Sequence, residues 1–304
     1  MKIATTTGDF SLYCKTDIER IHQLHQAGFR YIDLSIYALT PDSPYMGEGW
    51  QEAVWQLKEE ADKLGMQFVQ AHSPGGNPLD QDVEKLEALV AATVRSIEMC
   101  QLLGIQNTVV HPGYASGASK QQWFEGNRAF CQKLYPAMEK SGVNVLIENS
   151  TAANMGSMYF ANSGADMAEF LRFADHPLLH ACWDTGHANC EGSQYDDIMA
   201  LGKDLYAIHY NDNRGTRDEH LIPYFGTLNH DEVISALRDV GFQGYFTLEC
   251  SSSLIQKEYW LGGRRDFPAD TRLEAPQLFM QQRLEALSYE IAKYMLSVYD
   301  LFEE

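Results

Sequence analysis

Glu148, Asp184, His209 and Glu249 each close a short apolar run that reads as a buried β-strand: VLIE, ACWD, LYAIH and YFTLE. Two further runs, QFVQAH and TVVH, finish on His72 and His111 in the same way. Carboxylates and imidazoles together form a mixed oxygen and nitrogen donor set. Such a set suits Zn²⁺, Mn²⁺, Co²⁺ or Fe²⁺ and is harder than a thiolate site. Residues so far apart in sequence act together only if their strands end at one place. A parallel barrel brings the C-terminal ends of its strands to one mouth, so the six tips predict a metal centre there.

Other ionisable residues extend the set. His187 follows Asp184 by three residues in WDTGH, and Asp218 with His220 forms an Asp-x-His pair in DEH. Each is a further ligand, a group that orients a ligand, or a substrate contact. Four protein ligands nearly complete a site. Glu148, Asp184, His209 and Glu249 are therefore the core, and His72, His111, Asp218 and His220 additional ligands or their supports. His22, His25, His176, His180 and His230 fall away from the tips.

The elements that must carry these residues repeat. A helical stretch ends on glycine, a few residues follow, and an apolar strand ends on a polar side chain: Gly65 to His72, Gly104 to His111, Gly142 to Glu148, Gly241 to Glu249. Glycine past a helix end accepts the left-handed turn, and an apolar run suits a strand covered on both faces. Eight such strands are expected near Ile3, Tyr31, Gln67, Thr108, Asn144, Leu179, Leu205 and Tyr245. Amphipathic periodicity predicts helices over Asp17–Ala27, Gln51–Leu64, Asp82–Leu103, Gln122–Ser141 and Asp231–Val240. Strand and helix alternating over 304 residues predict a single (β/α)8 barrel domain, which needs about 250 residues plus insertions. Residues 251–304 read as an extended last loop and a C-terminal helix, about Pro276 to Leu301, packed on the barrel or serving a homo-oligomer. A doubly wound sheet would place a glycine-rich fingerprint after its first strand, and none is present.

Composition narrows the partners. With 42 acidic against 23 basic residues the formal charge is −19, whereas affinity for nucleic acid comes from clustered Lys and Arg. No nucleic-acid partner is expected. No stretch is long and apolar enough for a membrane span, and the N-terminus reads as a strand and not a signal peptide. A cytoplasmic location follows as an expectation. Cys14, Cys100, Cys131, Cys182, Cys190 and Cys250 show no C-x-x-C spacing and read as reduced thiols.

LIENS, WDTGHAN, IHYNDNRG, DEHLIP, the glycine of FGT and the final TLE resemble the xylose isomerase-like barrel superfamily, in particular its sugar phosphate isomerase/epimerase members. The resemblance runs from the first strand to about Glu249. It implies one divalent ion on Glu148, Asp184, His209 and Glu249, with His187 and Arg214 contacting substrate oxygens. The superfamily also holds endonuclease IV, a three-zinc nuclease of abasic sites. Its nine ligand types all find a match in His72, His111, Glu148, Asp184, His187, His209, Asp218, His220 and Glu249, so up to three ions are conceivable. After the Asp-x-His pair, however, the nuclease has glycine, glutamate, glycine, where this chain reads Tyr224, Phe225, Gly226.

The implied chemistry is removal of a proton α to the carbonyl of a keto sugar or sugar phosphate. Glu148 and Glu249 are the expected acid and base, and Zn²⁺ or Mn²⁺ the expected ion. Loss of a β-hydroxyl from a cyclic polyol ketone, as in inosose dehydratases, is the related lyase outcome. A non-enzymatic protein with a vestigial site is the remaining alternative, opposed by intact Glu148 and Glu249. Substrate walls are expected from Tyr37–Trp50 and from residues 251–268, where Arg264 and Arg265 would meet an anion.

Overall fold

The computed structural model describes residues 1–254 and 274–304. The strands are β1 (Ile3–Thr6), β2 (Tyr31–Ser35), β3 (Gln67–His72), β4 (Asn107–Val110), β5 (Asn144–Glu148), β6 (Leu179–Asp184), β7 (Leu205–His209) and β8 (Phe246–Leu248). They hydrogen-bond in the order β7-β6-β5-β4-β3-β2-β1-β8, every neighbouring pair parallel. The ring closes just past the end of β7, where Tyr210 bridges Leu248. There the Tyr210 N–H donates to Thr247 O at 2.7 Å and the Glu249 N–H to Tyr210 O at 3.1 Å. Glu249 thus stands at the closure itself. The result is the TIM barrel that the strand pattern predicted.

The helices are α1 (Asp17–Gln26), α2 (Trp50–Lys63), α3 (Val83–Leu103), α4 (Lys120–Ser141), α5 (Ala152–Met155), α6 (Gly164–Ala174), α7 (Thr185–Asn189), α8 (Tyr195–Leu201), α9 (His230–Asp239) and α10 (Leu278–Val298). Local chemistry fixes their ends. Thr16 with Glu19 and Ser119 with Gln122 form capping boxes at α1 and α4, each satisfying two otherwise orphaned N–H groups. Gly65, Gly104, Gly142 and Gly241 follow α2, α3, α4 and α9 in the left-handed region, as the sequence spacing required. The periodicity did not reveal α6, which begins in the loop-like Asn162-Ser163-Gly164, or the seven-residue α8.

Side chains alternate along each strand, and this alternation sorts core from site. Outward-facing Ile32, Leu34, Val145, Ile147, Trp183, Ile208 and Phe246 join the main hydrophobic core under the helices. The inward set starts with a small apolar plug of Val109, Leu146, Cys182 and Ala207. Two residues further, at the ends of β5, β6 and β7 and just past β4, the same inward side carries Glu148, Asp184, His209 and His111. The plug therefore floors the site. Helix α10 takes the position of the eighth outer helix, against α1 and β1, and the N-terminal ammonium holds its far end through Leu301 O and Glu303. None of the described helices is long and apolar enough to cross a membrane.

Leu146→Ala should cost about 2–5 kcal/mol of folding stability, because the rigid strands around Leu146 cannot collapse into the space it leaves. Urea denaturation measures this directly. A loss below about 1 kcal/mol would show that the plug is dispensable.

Candidate metal and substrate site

Asp184, at the end of β6, is also the N-cap of α7: its Oδ1 accepts from the His187 N–H at 2.6 Å. Its Oδ2 accepts from Asn211 Nδ2 at 2.8 Å. Asn149 then ties β6 to β5, accepting from the Asp184 N–H at 2.6 Å and donating to Asp184 O at 3.0 Å. These contacts leave no room for a side chain at residue 186, where an added Cβ would lie 1.8 Å from Asn211 Oδ1. The glycine in WDTGH is therefore demanded by the close approach of the loops after β6 and β7.

Ligand atoms of Glu148, Asp184, His209 and Glu249 lie within 4.8 Å of one another. His209 Nδ1 is 2.8 Å from Glu148 Oε1 and 3.5 Å from Glu249 Oε2. Its Nε2 faces the other way, 2.8 Å from Gln70 Nε2 and 3.4 Å from Asp33 Oδ2. The ring accordingly aims Nδ1 at the carboxylates, while Gln70, whose Nε2 also donates to Asp33 Oδ2 at 3.1 Å, holds its far side, an outer contact of the kind that orients metal-binding histidines. Glu148 Oε2, buried and unpaired, faces His111 Nε2 at 2.7 Å and His72 Nε2 at 3.5 Å. An unpaired buried carboxylate oxygen aimed at other donors fits a cation. His72 completes an overlapping group with Glu148 and His209.

A second cluster lies beside the first. His187 Nε2 is 3.1 Å from Asp218 Oδ2, and His220 Nε2 is 3.2 Å from Asp218 Oδ1. The His187 ring also spans toward the core set, its Nδ1 3.5 Å from Asp184 Oδ1. His220 is held in the left-handed region, φ 47°, a strained conformation for a side chain of this size. Its Nδ1 is fixed on Glu249 O at 3.1 Å.

Electrostatics bind the two clusters together. Burial opposes ionisation of Glu148, yet His209 and His111 hold its carboxyl well below the ordinary range. Burial likewise opposes a proton on His209, but Cys182, Glu249 and Glu148 hold that imidazole well above its usual value. His187, despite burial, is raised to about 9 by Asp184 and Asp218. Burial raises Asp184. Carboxylates and imidazoles thus shift one another in opposite senses, a coupling that a dication among these donors would replace.

A cavity of about 370 Å³ opens onto both clusters and is lined by His72, His111, Glu148, His187, Asp218, His220 and Glu249. Tyr37, from the predicted wall after β2, lies on it and packs edge-on to His72 at 5.3 Å. A roomier cavity of about 530 Å³, between residues 78–86 and 115–133, carries no such cluster. Arg214 is not brought to the site: its guanidinium is 60% exposed and pairs with Glu219 at 2.5 Å. Arg264, Arg265 and most of the predicted wall over 251–268 lie outside the described residues. Asp33 and Gln70 were missed by sequence reasoning, although an acid inside the apolar run YIDLS was a visible signal.

The chain belongs to the family described as xylose isomerase-like TIM barrel, whose model matches residues 21–271. An uncharacterised protein of Methanocaldococcus jannaschii is 26% identical over 219 residues, covering 67% of this chain and 73% of that one. A probable endonuclease 4 of Methanoculleus marisnigri is 27% identical over 202 residues, 55% of this chain and 69% of its own. Among solved structures, a D-tagatose 3-epimerase-like protein superposes with a TM-score of 0.74 at 19% identity, covering 99% and 98% of the two chains. The IolI protein with a binding zinc atom gives 0.74 at 15% identity, with both chains fully covered. At such identities the likeness is one of fold.

Replacing Glu148 or Asp184 with alanine should remove most of the divalent metal that copurifies with the protein, while far-UV circular dichroism remains that of a folded barrel. Inductively coupled plasma mass spectrometry reads the content per chain. Wild-type stoichiometry in both variants would mean that the cation is held elsewhere.

Proposed function

We propose that this chain is a divalent-metal-dependent sugar isomerase or epimerase that moves a proton at the carbon α to the carbonyl of a keto sugar or sugar phosphate. One observation carries the reading. Glu148 and Glu249, on β5 and just past β8, both line the cavity while converging on His209 Nδ1. Two carboxylates reaching one cavity from different strands suit removal of a proton by one and its return by the other.

Glu148, Asp184, His209 and Glu249 would hold the ion, Zn²⁺ or Mn²⁺ by their donor chemistry. When bound, such an ion polarises the carbonyl and stabilises the charge left by the departing proton. The remaining work belongs to the side chains. His187, fixed between Asp184 and Asp218, is placed to hold a substrate oxygen. Glu148 lines the cavity from β5 and would act on the reacting carbon from that side. Glu249, with a side chain 19% exposed, is the more open of the two carboxylates and the better placed to meet the opposite face. Arg214 could reach the substrate only by leaving Glu219. A β-hydroxyl in the substrate would turn the same proton removal into dehydration.

A nuclease of the endonuclease IV kind is the second reading. It is favoured by the His187–Asp218–His220 cluster, which could take a further ion, and by the probable endonuclease 4 relative. The −19 charge opposes it, since a polyanion binds through released counterions at Lys and Arg.

With an accepted ketose in D₂O, the wild type should place deuterium at the α-carbon. Glu148→Gln and Glu249→Gln should each lower kcat by about 10² or more, the scale of lost acid–base catalysis, in protein that still holds metal. Turnover with neither exchange nor carbon–oxygen cleavage in suitably labelled substrate would rule the mechanism out. Abasic duplex DNA should remain intact at physiological salt. Efficient incision that stops on chelation would instead establish the nuclease.

A further inference from the structure

The first half of α10 buries polar side chains: Gln281, Glu285 and Ser288 lie against the barrel, where Thr5 Oγ1 donates to Glu285 Oε1 at 2.7 Å. Its apolar residues look outward instead. Met280, Leu287 and Tyr294, seven residues apart and so on one side of the helix, are 41%, 44% and 62% exposed, and Val298 one turn further is 61% exposed. A helix that served the barrel alone would carry the reverse pattern on these two faces. Contiguous apolar surface left in water marks a contact with another molecule. Tyr224 and Phe225, where the chain departs from the nuclease pattern, widen the face. Both are exposed. Tyr224 packs edge-on to His230 at 4.8 Å, and the neighbouring Asp231 accepts from the Tyr299 hydroxyl just past the end of α10.

Charge indicates what covers this face. Arg283 and Glu290 are exposed one turn before and one turn after Leu287. Arg283 lies over the Phe279 ring at 5.8 Å, and among the described residues neither charge forms a salt bridge. Opposite charges set about one apolar residue complement a second copy of themselves. An antiparallel crossing at Leu287 brings Arg283 against the partner's Glu290 twice, whereas a parallel crossing sets like against like. The rest of the helix agrees. Glu290 is the one acidic residue among the exposed positions of α10, in a chain of formal charge −19, so two copies repel each other least when they meet here.

We propose that α10 is the contact face of a homodimer, in which two copies cross antiparallel about a two-fold axis at Leu287 and each Arg283 pairs with the partner's Glu290. The inference stands on the outer helix and is independent of the reaction proposed above.

Sedimentation velocity on the full chain should show a dimer at micromolar concentration. Leu287→Glu should raise the dimer Kd about thirtyfold or more, the scale of a residue at the centre of an interface. Its far-UV circular dichroism should stay that of the wild type, because Leu287 is exposed within one chain. Arg283→Glu and Glu290→Arg should each weaken self-association about tenfold by setting like charges together, and the double variant should regain it. Mixed in equal amounts, the two single variants should form a heterodimer in preference to either homodimer, read by native mass spectrometry. A wild type that stays monomeric at its highest soluble concentration would overturn the proposal, as would a dimer that Leu287→Glu leaves intact. Charge variants that neither weaken the dimer nor prefer each other would show that the antiparallel crossing is wrong. Assemblies that grow beyond two chains with concentration would also sink it, since a two-fold contact closes on itself.

Discussion

Negative charge concentrated in a buried mouth is the constraint around which the barrel is arranged. Glu148, Asp184 and Glu249 converge on His209 from β5, β6 and the end of β8, and Glu148 and Asp184 are almost fully enclosed. Carboxylates so placed repel one another and lose their hydration, and only positive charge delivered at short range makes the arrangement stable. The histidines, their imidazoles pushed up by the neighbouring carboxylates, answer that charge, and the same geometry suits a dication. The surrounding hydrogen bonds serve that end: Asn149 and Asn211 fix Asp184, and Asp33 with Gln70 fixes the far side of His209.

The strand alternation makes this affordable to the fold. Each strand that delivers a polar tip also packs branched or aromatic side chains outward under the helices, so the site costs the hydrophobic core little. Inside the barrel the plug of Val109, Leu146, Cys182 and Ala207 separates the ionised layer from the lower end of the ring. The site thus rests on a dry floor, which strengthens every charge interaction above it.

Much of this was legible in the sequence, for a definite reason. Strands covered on both faces appear as unbroken apolar runs, so a Glu or His that ends one stands out, as in VLIE and LYAIH. Helix-closing glycines marked where each run begins. What stayed hidden depends on tertiary contact. Asp33 and Gln70 lie within strands, and only the register of β2 against β3 turns both inward toward His209. Thr5 and Glu285 are separated by most of the chain, and nothing local to either indicates that they meet. Arg214 stood beside a strong motif, yet its partner, Glu219, comes from the same loop. Proximity to a motif along the chain does not set the direction of a long, exposed side chain.

The contact between the backbone at Gly186 and the amide of Asn211 also bears on how such a site changes over generations. Because the two loops are interlocked at atomic distance, a larger residue at 186 is tolerable only after Asn211 has shortened, and shortening Asn211 alone releases Asp184. Neither order of single steps passes through a sound site. Lineages that retain the chemistry should therefore hold both residues fixed, and divergence in specificity should be channelled into the loop after β2 and the turn after β1, where a substitution has no obligatory partner among the metal-binding groups.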